Sequence, residues 1–221
     1  MHRLGIEKDQ LPDFLQALSL SRQVQVASVF SHLVASDNPD EDGFTQQQIA
    51  AFQTMARHIQ DQLPYSVMRH ILNTNGVLRF PEAQFEMVRL GIGFYGVDGT
   101  GQLAGELTIP AALKTTISQV KHLKPGDTVG YGRKGKIATP TTIATLAIGY
   151  ADGFSRALSK GQGFVSIQGQ PAPVVGDVCM DMTMVNITGI PAHEGDEAVI
   201  FGAYPRIEEV ARLSETIPYE V

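Results

Sequence analysis

A change of periodicity near residue 103 constrains this chain more than any other feature. Before it, strand-like and helix-like stretches alternate. Leu11 to Leu18 has an apolar face, with Pro12 near its start, where proline is tolerated. Gln23 to Phe30 alternates and is β-branched, which predicts a strand. Thr45-Gln46-Gln47-Gln48 reads as a capping box. From there Ile49, Phe52, Met55, Ala56, Ile59 and Leu63 recur at helical spacing until Pro64 stops the helix. Tyr65 to Leu72 predicts a strand, Pro81 to Val88 a helix and Leu90 to Tyr95 a further strand. Such alternation implies parallel strands joined by helical crossovers, with ligands at the C-terminal strand ends. The ends to read are therefore His32 after the first strand, Asn73-Thr74-Asn75 after the second and Gly91-Ile92-Gly93 on the third.

After Gly101 the helical pattern stops. Ala111 to Leu123 alternates, Lys124-Pro125-Gly126-Asp127 is a turn, and strands are expected at 142–148, 163–168, 173–179, 182–187 and 197–201. Short strands at this spacing predict a β sandwich or barrel, and Ile207 to Leu213 a short helix. The expected organisation is an α/β domain over 1–102 and an all-β domain over 103–221. The first domain has only three or four strand–helix units, whereas a closed eight-stranded barrel needs about 250 residues. Either it closes differently or the chain is part of something longer.

Composition narrows the function classes. Net charge is −6, from 23 acidic and 17 basic side chains, which argues against a nucleic-acid surface. No apolar run approaches the roughly 20 residues that span a bilayer, and no apolar core follows Met1 as in a signal peptide. The one cysteine, Cys179, cannot form an internal disulfide and fits a reducing compartment. The expectation is a cytoplasmic protein with no nucleic acid, membrane or metal partner.

The stretch Thr142 to Arg156 concentrates the chemistry. An apolar strand runs into Gly149-Tyr150-Ala151-Asp152-Gly153, two glycines four apart that mark a sharp turn. Tyr150 there is either a strand-end aromatic packed on a neighbour or a phenol that exchanges a proton from a rigid support. Arg89, among Phe85, Met87, Val88 and Leu90, is either an exposed arginine or a guanidinium that needs a partner. Thr74 and Asn75 are either turn formers or ligands, and His32 either structural or functional. Gly91 and Gly93 permit close approach to an anion, a weak signal alone. Cys179 reads as a small buried hydrophobe, and Lys134 and Lys136 as a solvated loop.

Six pieces in order resemble the alanine racemase family, which uses pyridoxal 5'-phosphate (PLP). They are His2-Arg3-Leu4-Gly5-Ile6, Phe30-Ser31-His32-Leu33, His70-Ile71-Leu72-Asn73-Thr74, Arg89-Leu90-Gly91-Ile92 with Tyr95-Gly96, Gly149 to Gly153, and Val175-Gly176-Asp177-Val178-Cys179-Met180-Asp181. The resemblance covers nearly the whole chain. It implies the later part of a (β/α)8 TIM-type barrel followed by an all-β C-terminal domain. It also implies L-alanine/D-alanine interconversion by two bases, for peptidoglycan precursor supply, in a homodimer whose subunits share each active site. Tyr150 would be one base, acting in the partner subunit, with His32 behind it. Arg89 would face the pyridine nitrogen. Thr74, Gly91 and Ile92 would hold the phosphate. Arg3 and the Met180 N–H would contact the substrate carboxylate.

The chain also departs from that pattern. The family's PLP lysine lies near an Ala-Tyr-Gly sequence, and none of Lys8, Lys114, Lys121, Lys124, Lys134, Lys136 and Lys160 has such a neighbourhood. A phosphate-contacting tyrosine is expected a little beyond Val221. The chain therefore reads as the C-terminal part of a racemase, inactive by itself. The alternatives are a racemase of another small amino acid such as serine, a non-catalytic subunit-association module, or an RNA-bound β-barrel module, which the negative charge disfavours.

Overall fold

In the computed structural model, which describes residues 1–103 and 105–221, the chain divides into a unit over Met1–Thr108 and a unit over Ile109–Val221. The first is built on one parallel strand pair. Its elements are α1 (Leu11–Leu20), β1 (Ser28–Phe30), α2 (Asp42–Asp61), β2 (Met68–His70) and α3 (Thr74–Arg79). β1 pairs with β2 in parallel, Ser28 opposite Met68 and Phe30 opposite His70, with α2 as the crossover. The face of α2 read from the sequence is buried: Ile49, Phe52 and Ala56 pack with Leu33, Ile71, Leu72 and Phe80. Each large member contributes about 1.5–3 kcal/mol by leaving water.

Several expectations in this unit are corrected. Strand 23–30 shrinks to three residues, because the Val26 N–H is taken by the Tyr65 hydroxyl instead of a ladder partner. Thr45 is no cap. α2 begins at Asp42, directly after a 3-10 turn at Pro39–Glu41 capped by Asn38, so Thr45 lies inside the helix. Pro81 opens only a 3-10 turn, Pro81–Ala83; Phe85 at φ +42 cannot continue a helix. The helix lies earlier, at α3, where the Asn73 side chain accepts the Gly76 N–H (2.9 Å). The strand expected at 90–95 is a 3-10 turn, Ile92–Tyr95, closed by Gly96 at φ +77.

The second unit is a six-stranded antiparallel sheet. Its strands and helix are β3 (Leu113–Leu123), β4 (Thr128–Val129), β5 (Gly135–Lys136), β6 (Thr141–Leu146), β7 (Phe164–Ile167), β8 (Gln170–Pro173), β9 (Thr183–Asn186), β10 (Glu197–Phe201) and α4 (Ile207–Leu213). The sheet order is β8-β7-β10-β3-β6-β9, and β4 pairs separately with β5. Val174, just after β8, bridges Val185 on β9, so the two sheet edges meet. That bridge covers part of both edge strands. Ile117, Leu146, Val165, Ile167, Val185 and Ile200 fill the interior. The strand expected at 173–179 does not form: after Val174 the chain turns through Gly176 at φ +71 and Asp177 is buried there. Among the described residues no helix is long and apolar enough to cross a membrane.

Candidate active site

Three clusters carry the residues singled out by sequence. The first gathers around Arg89, just after the Leu72 carbonyl accepts its N–H (3.0 Å). Among the described residues no carboxylate meets the guanidinium. Its NH2 donates to the Ser31 carbonyl (2.6 Å) and reaches His32 Nδ1 (3.3 Å) and the Ile71 carbonyl (3.4 Å). NH1 meets His70 Nδ1 and donates to the His70 carbonyl (3.2 Å). Strand ends supply these acceptors because β1 and β2 stop side by side. Phe30 stacks on the His70 ring at 5.1 Å, and the guanidinium carbon lies 5.3 Å from the Phe30 centroid.

The electrostatics favour the neutral form of both imidazoles. Burial, then the Arg89 charge, then Arg3, push His32 below its ordinary value. Burial and Arg89 do the same to His70. Burial also lowers Arg89, which remains a cation because guanidinium starts so high. Neutral imidazoles beside a permanent donor accept through Nδ1. That assignment places the ring proton of His32 on Nε2, where it can be donated onward. Sequence reading gave His70 no role, although it stands inside one of the quoted motifs.

The second cluster is a small cradle. Thr74, buried at the start of α3, accepts the N–H groups of Gly91 (3.0 Å) and Gly93 (3.2 Å) on one hydroxyl oxygen. Ile92, which lies between them, is buried. Gly93 is required by close approach: a Cβ there would lie 2.7 Å from Thr74 Cγ2. Arg3 is exposed, and Lys8, the unit's one lysine, is exposed too.

The third cluster lies in the second unit. After β6 the chain enters a 3-10 turn at Tyr150–Asp152. The Tyr150 N–H donates to the Cys179 carbonyl and the Ala151 N–H to the Met180 carbonyl, each at 2.9 Å. Asp152 Oδ2 accepts the Gly149 N–H (3.0 Å). A Cβ on Gly149 would lie 2.5 Å from the Met180 carbonyl carbon and oxygen, so the two segments touch backbone to backbone. Tyr150 is 47% exposed and Met180 60%. Tyr150 is thus half exposed on a pinned backbone, with the Arg156 guanidinium carbon 5.8 Å from its ring centre. Burial, then Asp181 and Asp177, raise the Cys179 thiol, which keeps it protonated and unreactive. Lys134, read as a solvated loop residue, instead donates to buried Asp177 Oδ2 (2.7 Å). Among the described residues no group of three or more His, Cys, Asp or Glu is placed to hold a metal.

These features define a two-part protein: a parallel α/β unit with an arginine-clamped histidine pair and an N–H cradle, and a closed β unit presenting a tyrosine on a fixed turn. Residues 1–99 match the family pattern "Alanine racemase, N-terminal domain", and residues 111–221 match "Alanine racemase, C-terminal domain". The chain belongs to the alanine racemase family. It is 37% identical over its whole length to an alanine racemase of Syntrophobacter fumaroxidans, of which it covers 60%. A Clostridium tetani alanine racemase is 34% identical over 100% of this chain and 59% of its own. Among solved structures, alanine racemase from Streptomyces coelicolor A3(2) superposes with a TM-score of 0.90 at 29% identity, over 100% of this chain and 60% of that one. The Bartonella henselae alanine racemase with covalently bound pyridoxal phosphate does so at 0.83 and 30% identity, with the same coverage. The chain thus spans about 60% of the length of these relatives.

Proposed function

We propose that this chain is part of a PLP-dependent alanine racemase that interconverts L- and D-alanine for peptidoglycan precursor supply in the cytoplasm. In this reading residues 1–102 are the later part of a TIM-type (β/α)8 barrel, and 103–221 are its β domain. The active site is shared across a homodimer, with the exposed Tyr150 and Met180 presented to the partner subunit.

The residues present fit the cofactor. Thr74 already holds the N–H groups of Gly91 and Gly93 around one oxygen, which is the donor set a phosphate needs. Gly91, Ile92 and Thr74 would hold that phosphate. Four guanidinium N–H groups of Arg89 face protein acceptors, leaving Nε–H for the pyridine nitrogen. A guanidinium does not give up its proton, so the ring nitrogen would only accept a hydrogen bond. The bound cofactor supplies electron delocalisation that makes the α-proton of alanine removable.

The remaining steps belong to this chain's residues, except for a lysine that none of its own seven supplies. Tyr150 takes or returns the α-proton on one face, and a lysine acts on the other. His32, held by Arg89 in the Nε2–H tautomer, donates toward the phenol oxygen presented by the partner subunit and orients it. Arg3 and the Met180 N–H hold the substrate carboxylate.

The observation that carries this reading is the Arg89 clamp on His32 beside the Thr74 cradle. It is tested by equilibrium dialysis of the chain against pyridoxine 5'-phosphate, which has no aldehyde to react with surface lysines, and against pyridoxine. Binding should need the phosphate and fall about 10–100-fold in Thr74→Ala, the loss expected for one hydrogen bond to a charged group. Equal binding of pyridoxine and its phosphate would contradict it.

A further inference from the structure

Glu86 stands three residues before Arg89, on the free edge of the β1–β2 pair. The Met68 N–H donates to the Ala27 carbonyl and the His70 carbonyl accepts the Ser31 N–H, both on the β1 side, so the Arg69 N–H faces the other edge of β2. There it donates to Glu86 Oε2 (2.7 Å). The Arg69 guanidinium grips the same carboxylate: Nε lies 3.0 Å from Oε2, and NH2 donates to Oε1. One carboxylate thus takes the backbone N–H and the side-chain fork of a single residue. Segment 86–89 forms no strand of its own, so the Glu86 side chain stands where a ladder carbonyl would.

Three residues further along both segments a second contact follows, through backbone. The Arg89 N–H donates to the Leu72 carbonyl (3.0 Å), so 86–89 runs alongside 69–72 in the same direction and in one register. The chain enters this segment through Phe85 at φ +42, a left-handed conformation that an aromatic residue keeps only where its surroundings hold it. Phe85 lies edge-on to Phe52 at 5.5 Å, and the Arg69 guanidinium carbon is 5.0 Å from the Phe85 ring centre. Val88 packs against the same core. Apolar contacts hold the segment against the unit but are not directional. The Glu86–Arg69 contact is directional, and it fixes which residue lies opposite which.

We infer that Glu86 is a positioning residue for Arg89: by accepting the Arg69 N–H it sets the register of 86–89 against 69–72, and so aims the Arg89 guanidinium at His32 and His70. A shift by one residue would bring Val88 or Leu90 to the place where Arg89 meets the two imidazoles. The geometry belongs to the chain alone; its meaning for catalysis rests on the reading of Arg89 as the partner of the pyridine nitrogen. Both side chains of the Arg69–Glu86 pair are more than a third exposed, so the pair adds little to stability and its effect is on direction.

The contact persists wherever the histidines titrate. Arg69, through its side chain and then its N–H, holds the Glu86 carboxyl down at about 2. A carboxylate depressed on folding contributes above its ordinary value, and the contribution is lost only as pH falls through the depressed one. Glu86 therefore stays charged throughout the range in which imidazoles change state. The cations that act on the two imidazoles are Arg89 on both and Arg3 on His32, so His70 reports on Arg89 without a second cation.

The test uses the full chain and needs no activity. The His70 and His32 titration midpoints are read by NMR from the imidazole nitrogens, assigned with His70→Gln and His32→Gln. The Arg89 guanidinium is followed through its terminal nitrogen signals, which stay distinct only while the group is held. Glu86→Ala should raise the His70 midpoint by at least about half a pH unit as the Arg89 charge withdraws, and merge the Arg89 signals. Amide protection at Ala56 and Ile59 in α2 should stay within about threefold. Glu86→Gln, which keeps an oxygen for the Arg69 N–H, and Arg69→Met, which keeps that N–H, should each retain most of the native behaviour. An unchanged His70 midpoint with distinct Arg89 signals in Glu86→Ala would overturn the inference. So would a matching loss of protection at Ala56 and Ile59, which would make Glu86 a determinant of the whole unit. An effect of Glu86→Gln or Arg69→Met as large as that of Glu86→Ala would place the role in the ion pair and overturn the register. A failed reading of Arg89 as a cofactor partner would show instead as unchanged pyridoxine 5'-phosphate binding in Arg89→Lys, with the Glu86 results unaffected.

Discussion

Gly149→Ala tests how tightly the tyrosine turn is seated. The backbone at Gly149, φ −151°, is extended and accepts alanine without strain, so conformational preference is not at issue. The cost is contact. The new methyl would lie 2.5 Å from the Met180 carbonyl carbon and oxygen, where ordinary contact begins at 3.4 Å. One backbone segment must therefore withdraw by about 0.9 Å, and neither is a flexible side-chain end. Overpacking of this kind costs about 1–3 kcal/mol. The withdrawal also stretches the two 2.9 Å hydrogen bonds from Tyr150 and Ala151, worth about 0.5–1.5 kcal/mol each. A loss of about 2–4 kcal/mol should lower the urea midpoint of the second unit by about 0.7–4 M, given a slope of about 1–3 kcal/mol/M. Gly153→Ala is the control. That position has open space around it but φ +96°, so the cost is backbone strain of about 1–2 kcal/mol with the Met180 contact intact. Amide exchange separates the two: Gly149→Ala should expose Tyr150 and Ala151, and Gly153→Ala should not. An unchanged midpoint with protected amides in Gly149→Ala would refute the argument.

Four further outcomes are expected. The first unit should lose stability as pH falls below about 6.5: His32 and His70 are both depressed, the unfolded chain binds more protons there, and stability rises with pH across that window. His32→Gln with His70→Gln should flatten the profile, and a native melt independent of pH from 5 to 7.5 would count against it. The 221-residue chain with PLP and L-alanine should show no racemisation by chiral chromatography, because the one lysine of the first unit, Lys8, is exposed and lies in none of the three clusters; robust turnover would contradict this. Short, unpaired β1 and β2 edges should drive self-association in sedimentation, and a monodisperse monomer would argue otherwise. In a lysine-containing version, Tyr150→Phe should reduce solvent-deuterium exchange at the α-carbon of one alanine enantiomer by about 10²–10⁴-fold while exchange of the other persists. Equal loss for both would make Tyr150 a group that holds substrate or cofactor.

Local pattern was enough wherever an element's own side chains decide its conformation. β10 was expected at 197–201 and α4 at 207–213, and both form there, because alternation and helical spacing each bury one face against whatever lies below. The apolar stripe of α2 was legible for the same reason. The proposed site residues were singled out through their motifs and not through spacing: Arg89, Thr74 and Tyr150 each admitted an ordinary structural reading from the residues alone. Tertiary structure decided the rest, because it sets which distant groups satisfy a polar atom. Asn73 accepts the Gly76 N–H and starts a helix where a turn was expected, while Phe85 at φ +42 ends one where proline suggested a start. Arg89 finds carbonyls and imidazoles from two parallel strand ends, 18 to 58 residues away, and no carboxylate. Lys134 finds Asp177 across 43 residues. A sequence determines its periodicity at short range. The partner of a buried charge is set by chain segments that meet only after the sheet closes.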